Sequence, residues 1–147
     1  MLKDGFFSLQ TPQDLLAKLE HDFKRHRKNP IDTYAAFDFV VTATQLHDWA
    51  RRSGISERPT EALHQLVFKV CGDLGNGAKH FAMRQRRPEG HSIAEARYGE
   101  ATYGDARYGG ALVVALSEAE ASVYGQPTIT VLELAAMVLA YWEEILL

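Results

Sequence analysis

The sequence predicts a single, mainly α-helical domain, a four-helix bundle with a small β-hairpin-like insertion before the last helix. Three observations predict it. Apolar residues recur at helical spacing in four separate stretches, bounded by Pro, Gly or cap-forming residues. The strand-type run "ALVVAL", residues 111–116, is short. A chain of 147 residues, 46% hydrophobic, suffices for one core and is small for two, so 1–147 is read as one domain.

The first helix starts at Thr11-Pro12, with Thr11 as N-cap, Pro12 at the first helical position and Asp14 in the first turn. Leu15, Leu16, Leu19 and Phe23 follow at helical spacing. The helix ends in Lys24-Arg25-His26-Arg27-Lys28 before Asn29-Pro30. Cations there complement the helix dipole, and the same five residues could form a phosphate-binding patch.

A second helix is expected from Ile31 to Arg52, closed by Gly54. At about 100° per residue, Tyr34, Phe37 and Val41 share one face and Phe39 and Leu46 the other, which predicts burial on two sides. Asp38, Thr44, Gln45 and Asp48 project into the first face. Buried acids need partners, and an Arg of a neighbouring helix is expected for Asp48, which His47 and Trp49 flank.

Pro59 opens a third helix with the stripe Leu63, Leu66, Val67, Val70 and Leu74. Residues 84–110 break the pattern and read as an irregular or flexible arm. They hold the pentads "RYGEA", "TYGDA" and "RYGGA", whose period of five fits neither helix nor strand, so Tyr98, Tyr103 and Tyr108 cannot line one face of a regular element. After "ALVVAL", an acidic turn at Ser117–Glu120 leads to a second strand within "ASVYGQPTIT". The last helix, from Thr130, carries Leu132, Leu134, Ala135, Val138, Leu139, Trp142, Ile145 and Leu146.

The net charge is −3, and it is unevenly placed. Residues 1–110 hold all 16 Lys and Arg and net +2, whereas residues 111–147 hold five acids and no base. Any basic surface must come from the first three-quarters. The lone Cys71 excludes an internal disulfide and a cysteine-rich zinc site, and its apolar setting predicts an inert buried thiol. No signal-like stretch opens the chain and no segment has the length of a membrane span, so a cytoplasmic protein without membrane contact is expected.

The stretch "CGDLGNGAKHF", residues 71–81, carries the candidate chemistry. Continuing the third helix through it puts Lys69, Asp73, Asn76 and His80 on one polar ridge, spaced by four, three and four. Gly77 falls near the apolar stripe, where it would admit a close helix, and Gly72 and Gly75 fall outside. The spacing is not that of a phosphate-binding P-loop, and no strand precedes it. His47, Asp48 and Trp49 join the ridge if the second and third helices pack side by side.

The runs "DLGNGAKHF", "YAAFDFVVTATQLHDW" and "TVLELAAMVLAYWEEIL" resemble a small bacterial family of uncharacterised all-helical proteins, itself similar to the HEPN superfamily. That resemblance implies a helical bundle that dimerises, and commonly a metal-independent ribonuclease of toxin–antitoxin or defence type. It also implies a motif of Arg, a polar residue, four to six residues and His. On this chain the His falls on His80 and the polar residue on Asp73, and Gly72 stands where the Arg is expected. Lys69 or Lys79 would have to supply the cation for a phosphorane, without the planar fork of Arg. Two other Arg-to-His spacings, Arg58 to His64 and Arg84 or Arg86 to His91, are set aside as matches that composition alone produces.

The expected function is therefore an HEPN-like domain binding RNA or a nucleotide with little or no catalysis, with His80, Asp73 and Asn76 as candidate catalytic residues. Lys69, Lys79, His47, Asp48 and Trp49 are the candidate ligand-binding residues. The alternatives are an active metal-independent endoribonuclease using His80, and a structural or adaptor protein with a protein partner such as an antitoxin. A divalent ion between His47, Asp48, Asp73 and His80 is a weaker reading, since no Glu-x-x-His repeat is present. No cofactor or metal is expected, and a homodimer is.

Overall fold

The computed structural model describes residues 5–55, 58–80, 93–96 and 111–147, with the side chains at 79, 80 and 93–96 outside that description. Among the described residues, five helices and three strands follow in the order α1 (Pro12–Lys28), α2 (Thr33–Arg52), α3 (Ala62–His80), β1 (Ile93–Ala96), β2 (Ala111–Ala115), α4 (Glu118–Tyr124), β3 (Thr128–Thr130) and α5 (Val131–Leu146). The protein is thus mainly helical.

Local chemistry sets the helix ends. The Asp14 N–H donates to Thr11 Oγ1, and Asp14 Oδ2 accepts from the Gln10 and Thr11 N–H groups, a reciprocal cap that fixes the start of α1. The Gln10 N–H in particular holds the Asp14 carboxyl below its ordinary range. Ser117 and Glu120 form a second reciprocal cap, so the acidic turn expected there is instead the first turn of α4. The segment Ser117–Glu120 carries the Ser-x-x-Glu signature of such a cap. Asp32 caps α2 and Thr130 caps α5.

The four long helices touch in a ring: α1 packs on α2 and α5, and α3 packs on the same two. Their inward faces meet in one core that includes Leu15, Leu16, Leu19, Phe39, Leu46, Val67, Val70, Leu134, Val138 and Trp142. Each fully buried aliphatic or aromatic side chain contributes about 1.5–3 kcal/mol of transfer free energy. The strands make one antiparallel sheet in the order β1-β2-β3, with Ala96 opposite Ala111 and Ala115 opposite Thr128. Val114 and Ile129 bury that sheet against the helical core. A strand from 93–96 was not expected within the arm, and the pentad tyrosines lie outside the described residues.

Two expectations about α2 and α3 are corrected. The Tyr34 and Phe37 face of α2 is open: Tyr34 is 80% exposed and Phe37 47%. Asp38, on the same side, is held by Arg25 of α1 at 2.7 Å, an exposed pair. The second correction concerns the glycines. A Cβ on Gly75 would overlap the Thr44 hydroxyl and lie 2.9 Å from the Val40 carbonyl oxygen, so Gly75 is where α2 and α3 come closest, whereas Gly72 faces open space. Gly77 lines an apolar cleft with Phe37, Leu74, Leu112 and Val131.

Inside the α1–α2 interface, the buried Asp22 carboxylate accepts from Thr42 Oγ1 at 2.6 Å and from Lys18 Nζ at 2.7 Å. His26 is also fully buried, and neither ring nitrogen has a hydrogen-bond partner among the described residues. Burial pushes its pKa down, with a smaller opposing pull from Asp32. Cys71 is buried as expected, and burial raises its thiol pKa to about 12, which keeps it protonated and inert.

Candidate functional site

The close approach at Gly75 leaves a groove on one side of the α2–α3 seam. It has a volume of about 380 Å³, and α2 contributes Thr44, His47 and Asp48 to it, α3 contributes Phe68, Lys69, Gly72 and Asn76, and α5 contributes Val138 and Trp142. Four of the expected site residues, His47, Asp48, Lys69 and Asn76, therefore meet in one place. Helical spacing explains the α3 set: Lys69, Gly72 and Asn76 are separated by three and four. The missing Cβ of Gly72 deepens the groove where the resemblance calls for an Arg.

A smaller hollow of about 140 Å³ continues from this groove, sharing His47 and Trp142 and adding Arg51, Arg58 and Ile55. Lys69, Arg51 and Arg58 are all exposed cations. Asp48 meets Arg51 of its own helix at 3.5 Å, not an Arg of a neighbouring helix, and such an exposed pair holds little energy. The groove and hollow thus carry more positive than negative charge on a chain whose net charge is −3.

Trp142 links the two. It is 3% exposed, and its ring contacts His47 edge-on at 6.2 Å and Phe68 at 5.7 Å. Its Nε1–H finds no acceptor among the described residues. A buried indole N–H normally has a partner, and leaving one unmade costs on the order of 1–3 kcal/mol. A groove lined by an imidazole, a lysine, an asparagine and two nearby guanidinium groups suits an anion with several acceptor oxygens.

The other expected residues go elsewhere. Asp73 is half-buried and lines the apolar cleft with Phe37 and Gly77, on the other side of α3 from His47. The side chains of Lys79 and His80 lie outside the described residues. Trp49 faces a third cleft, of about 560 Å³, lined by Gly5, Gln10, Pro12, Gln45, Asp48, Arg52 and Ser53. Among the described residues no three His, Cys, Asp or Glu side chains converge as metal ligands would. No helix among them is long and apolar enough to cross a membrane.

Sequence reasoning did not place Arg51, Arg58 or Trp142 in the site. Arg58 was set aside on motif grounds, and Trp142 read as core, which it also is. Its unmatched donor leaves no trace in a helical apolar stripe. Comparison of the chain with protein-family models, with curated proteins and with solved structures finds no match.

Proposed function

We propose that this chain is an HEPN-like helical domain that binds RNA or a nucleotide through the α2–α3 groove, with little or no catalysis, and that it works as a cytoplasmic homodimer. The observation that carries the reading is the convergence of Lys69, Arg51, Arg58, His47 and Asn76, drawn from two helices and a loop, along two adjoining hollows that share His47 and Trp142. The ring of four contacting helices supports the bundle reading.

At the α3 position where the family motif would put an Arg the groove has Gly72, and its cations are instead Lys69 and, in the adjoining hollow, Arg51 and Arg58. Lys69 supplies a point charge instead of a bidentate fork. That arrangement favours holding a phosphate over stabilising the charge that builds up in phosphoryl transfer.

The test is binding of a labelled, unstructured RNA by wild type and by a Lys69→Ala/Arg58→Ala double variant over a series of salt concentrations, with cleavage followed in EDTA. Loss of two phosphate contacts lowers the slope of log affinity against log salt by about 1.4, at about 0.7 per contact on a single strand. An unchanged slope refutes the groove as the binding site. Cleavage that vanishes in His80→Ala replaces the binding reading with the ribonuclease one.

A further inference from the structure

The third cleft is the place to ask what sits beside the phosphates. It flanks the neighbouring face of α2, and Asp48 lines both. Its walls hold one large aromatic, Trp49, together with the amides of Gln10 and Gln45, the Asp48 carboxylate, the Ser53 hydroxyl and the Arg52 guanidinium. Gln45 is exposed. An aromatic face surrounded by amide and carboxylate groups offers stacking plus donors and acceptors, the two things a nucleobase edge and face require.

The wall on the α1 side is unusual in itself. Gly5 and Gln10 line the cleft, and the residues between them form a tight turn closed by two hydrogen bonds between Phe6 and Leu9, at 2.7 and 2.8 Å. Phe7 occupies the first central position with φ of 52°, a left-handed backbone that bulky residues avoid, and its ring is 82% exposed. Phe6 is 64% exposed and meets Phe7 edge-on at 4.7 Å. Gln10 Nε2 donates to the Phe7 carbonyl at 2.8 Å, which ties the turn to the cleft. Gly5 is required as it stands, with φ of 90° and a Cβ position that would overlap the Leu9 carbonyl oxygen. A phenylalanine held in a strained conformation with its ring in water costs backbone energy and gains no burial in return, which points to a use for the ring.

We propose that this cleft, with Trp49 and the Phe6–Phe7 turn, is a base-binding subsite for single-stranded RNA whose phosphates lie in the α2–α3 groove. The inference rests on the functional reading above and names its ligand class: an unpaired strand of at least two nucleotides that crosses α2 at Asp48, and not a free mononucleotide phosphate or a duplex. Among the described residues the lining is polar with one cation, Arg52, which fits bases better than a membrane surface, where several cations would surround the exposed rings.

The experiment compares hexauridylate with an abasic ribose-phosphate strand of the same length, on the full chain, by anisotropy and by the two tryptophan indole N–H resonances. A Trp49→Phe variant assigns those resonances. The expected result is tighter binding of hexauridylate, movement of the Trp49 resonance with hexauridylate alone, and a loss of roughly fivefold or more in its affinity in Phe7→Asn, the low end of one lost stack. Phe7→Asn keeps the turn, since Asn tolerates a positive φ, so a folding defect does not mimic the effect. Equal affinity for both strands with an unmoved Trp49 resonance overturns the subsite and leaves the groove reading standing. Failure of both strands to bind removes the two together.

Discussion

Replacing Gly75 by alanine tests the packing that shapes the groove. The added methyl would overlap the Thr44 hydroxyl and sit 2.9 Å from the Val40 carbonyl oxygen, where ordinary contact begins at 3.4 Å. The Thr44 side chain can turn away, but it then gives up its 2.8 Å bond to Val40 O, worth about 1 kcal/mol. The Val40 carbonyl belongs to the α2 backbone and can yield only if the helices part, a form of overpacking that costs about 2 kcal/mol. Alanine returns about 1 kcal/mol through helix propensity. The net loss is about 2 kcal/mol, which at 2–4 °C per kcal/mol lowers Tm by about 4–8 °C. Gly72→Ala in the same helix meets nothing within 4 Å and receives only the propensity term, so its Tm rises by about 2–4 °C. Thermal unfolding followed by circular dichroism reads both variants. Adding Thr44→Ala to Gly75→Ala should recover part of the loss by removing the hydroxyl overlap. If Gly75→Ala stabilises the protein as Gly72→Ala does, the close approach of α2 and α3 is wrong, and with it the shape of the groove.

Three further outcomes are expected. His26 is buried uncharged with a depressed pKa, so below its unfolded value the unfolded chain binds the proton and the native chain does not: stability falls as pH drops from about 6.5, by at most about 1.4 kcal/mol per pH unit until the folded pKa is reached. Urea melts of wild type and His26→Leu from pH 7.5 to 5 check this, and an equal slope in both assigns the dependence elsewhere. Asp22→Ala takes away the acceptor of the buried Thr42 hydroxyl, which keeps only the donor Lys18 Nζ at 2.9 Å, and should cost about 2–3 kcal/mol, against about 1 kcal/mol for Thr42→Val. Phe7→Asn relieves a left-handed aromatic at little cost in buried area, so the midpoint of urea unfolding should rise, by up to about 1 kcal/mol in stability; a fall would show that the ring packs in a way its exposure denies.

What the sequence disclosed divides along a physical line. Signals carried by a few neighbouring residues were legible: the Thr11–Asp14 cap, the extension of α3 through the glycines to His80, the start of α5 at Thr130 and the inert Cys71. The Ser117–Glu120 cap was present in the sequence as well, but its acids read as a turn. Signals that depend on the phase of one helix against another were not legible. Tyr34 and Phe37 recur at helical spacing whether they face a core or water, and only the position of the neighbouring elements leaves them exposed. Gly75 and Gly77 differ by 200° around α3 at about 100° per residue, and the one facing α2 is set by the rotation of the whole helix. The site divided in the same way. His47, Lys69 and Asn76 converge as their shared polarity suggested, Asp73 turns to an apolar cleft, and Arg58 and Trp142 enter from distant segments.

The ladder between β1 and β2 fixes how the pentads can vary. Ala96 and Ala111 stand opposite each other, so the 14 residues from 97 to 110 leave and re-enter the fold at neighbouring points of one ladder. Ends pinned that way are indifferent to how many five-residue units lie between them. Deleting the five residues 97–101 leaves nine between the paired ends, which for a flexible connection changes the closure entropy by only about 0.4 kcal/mol, and a fourth unit costs less still. The β1–β2 pairing therefore holds the two ends of this segment together whatever the number of pentads between them, and the helices and the groove do not depend on that number.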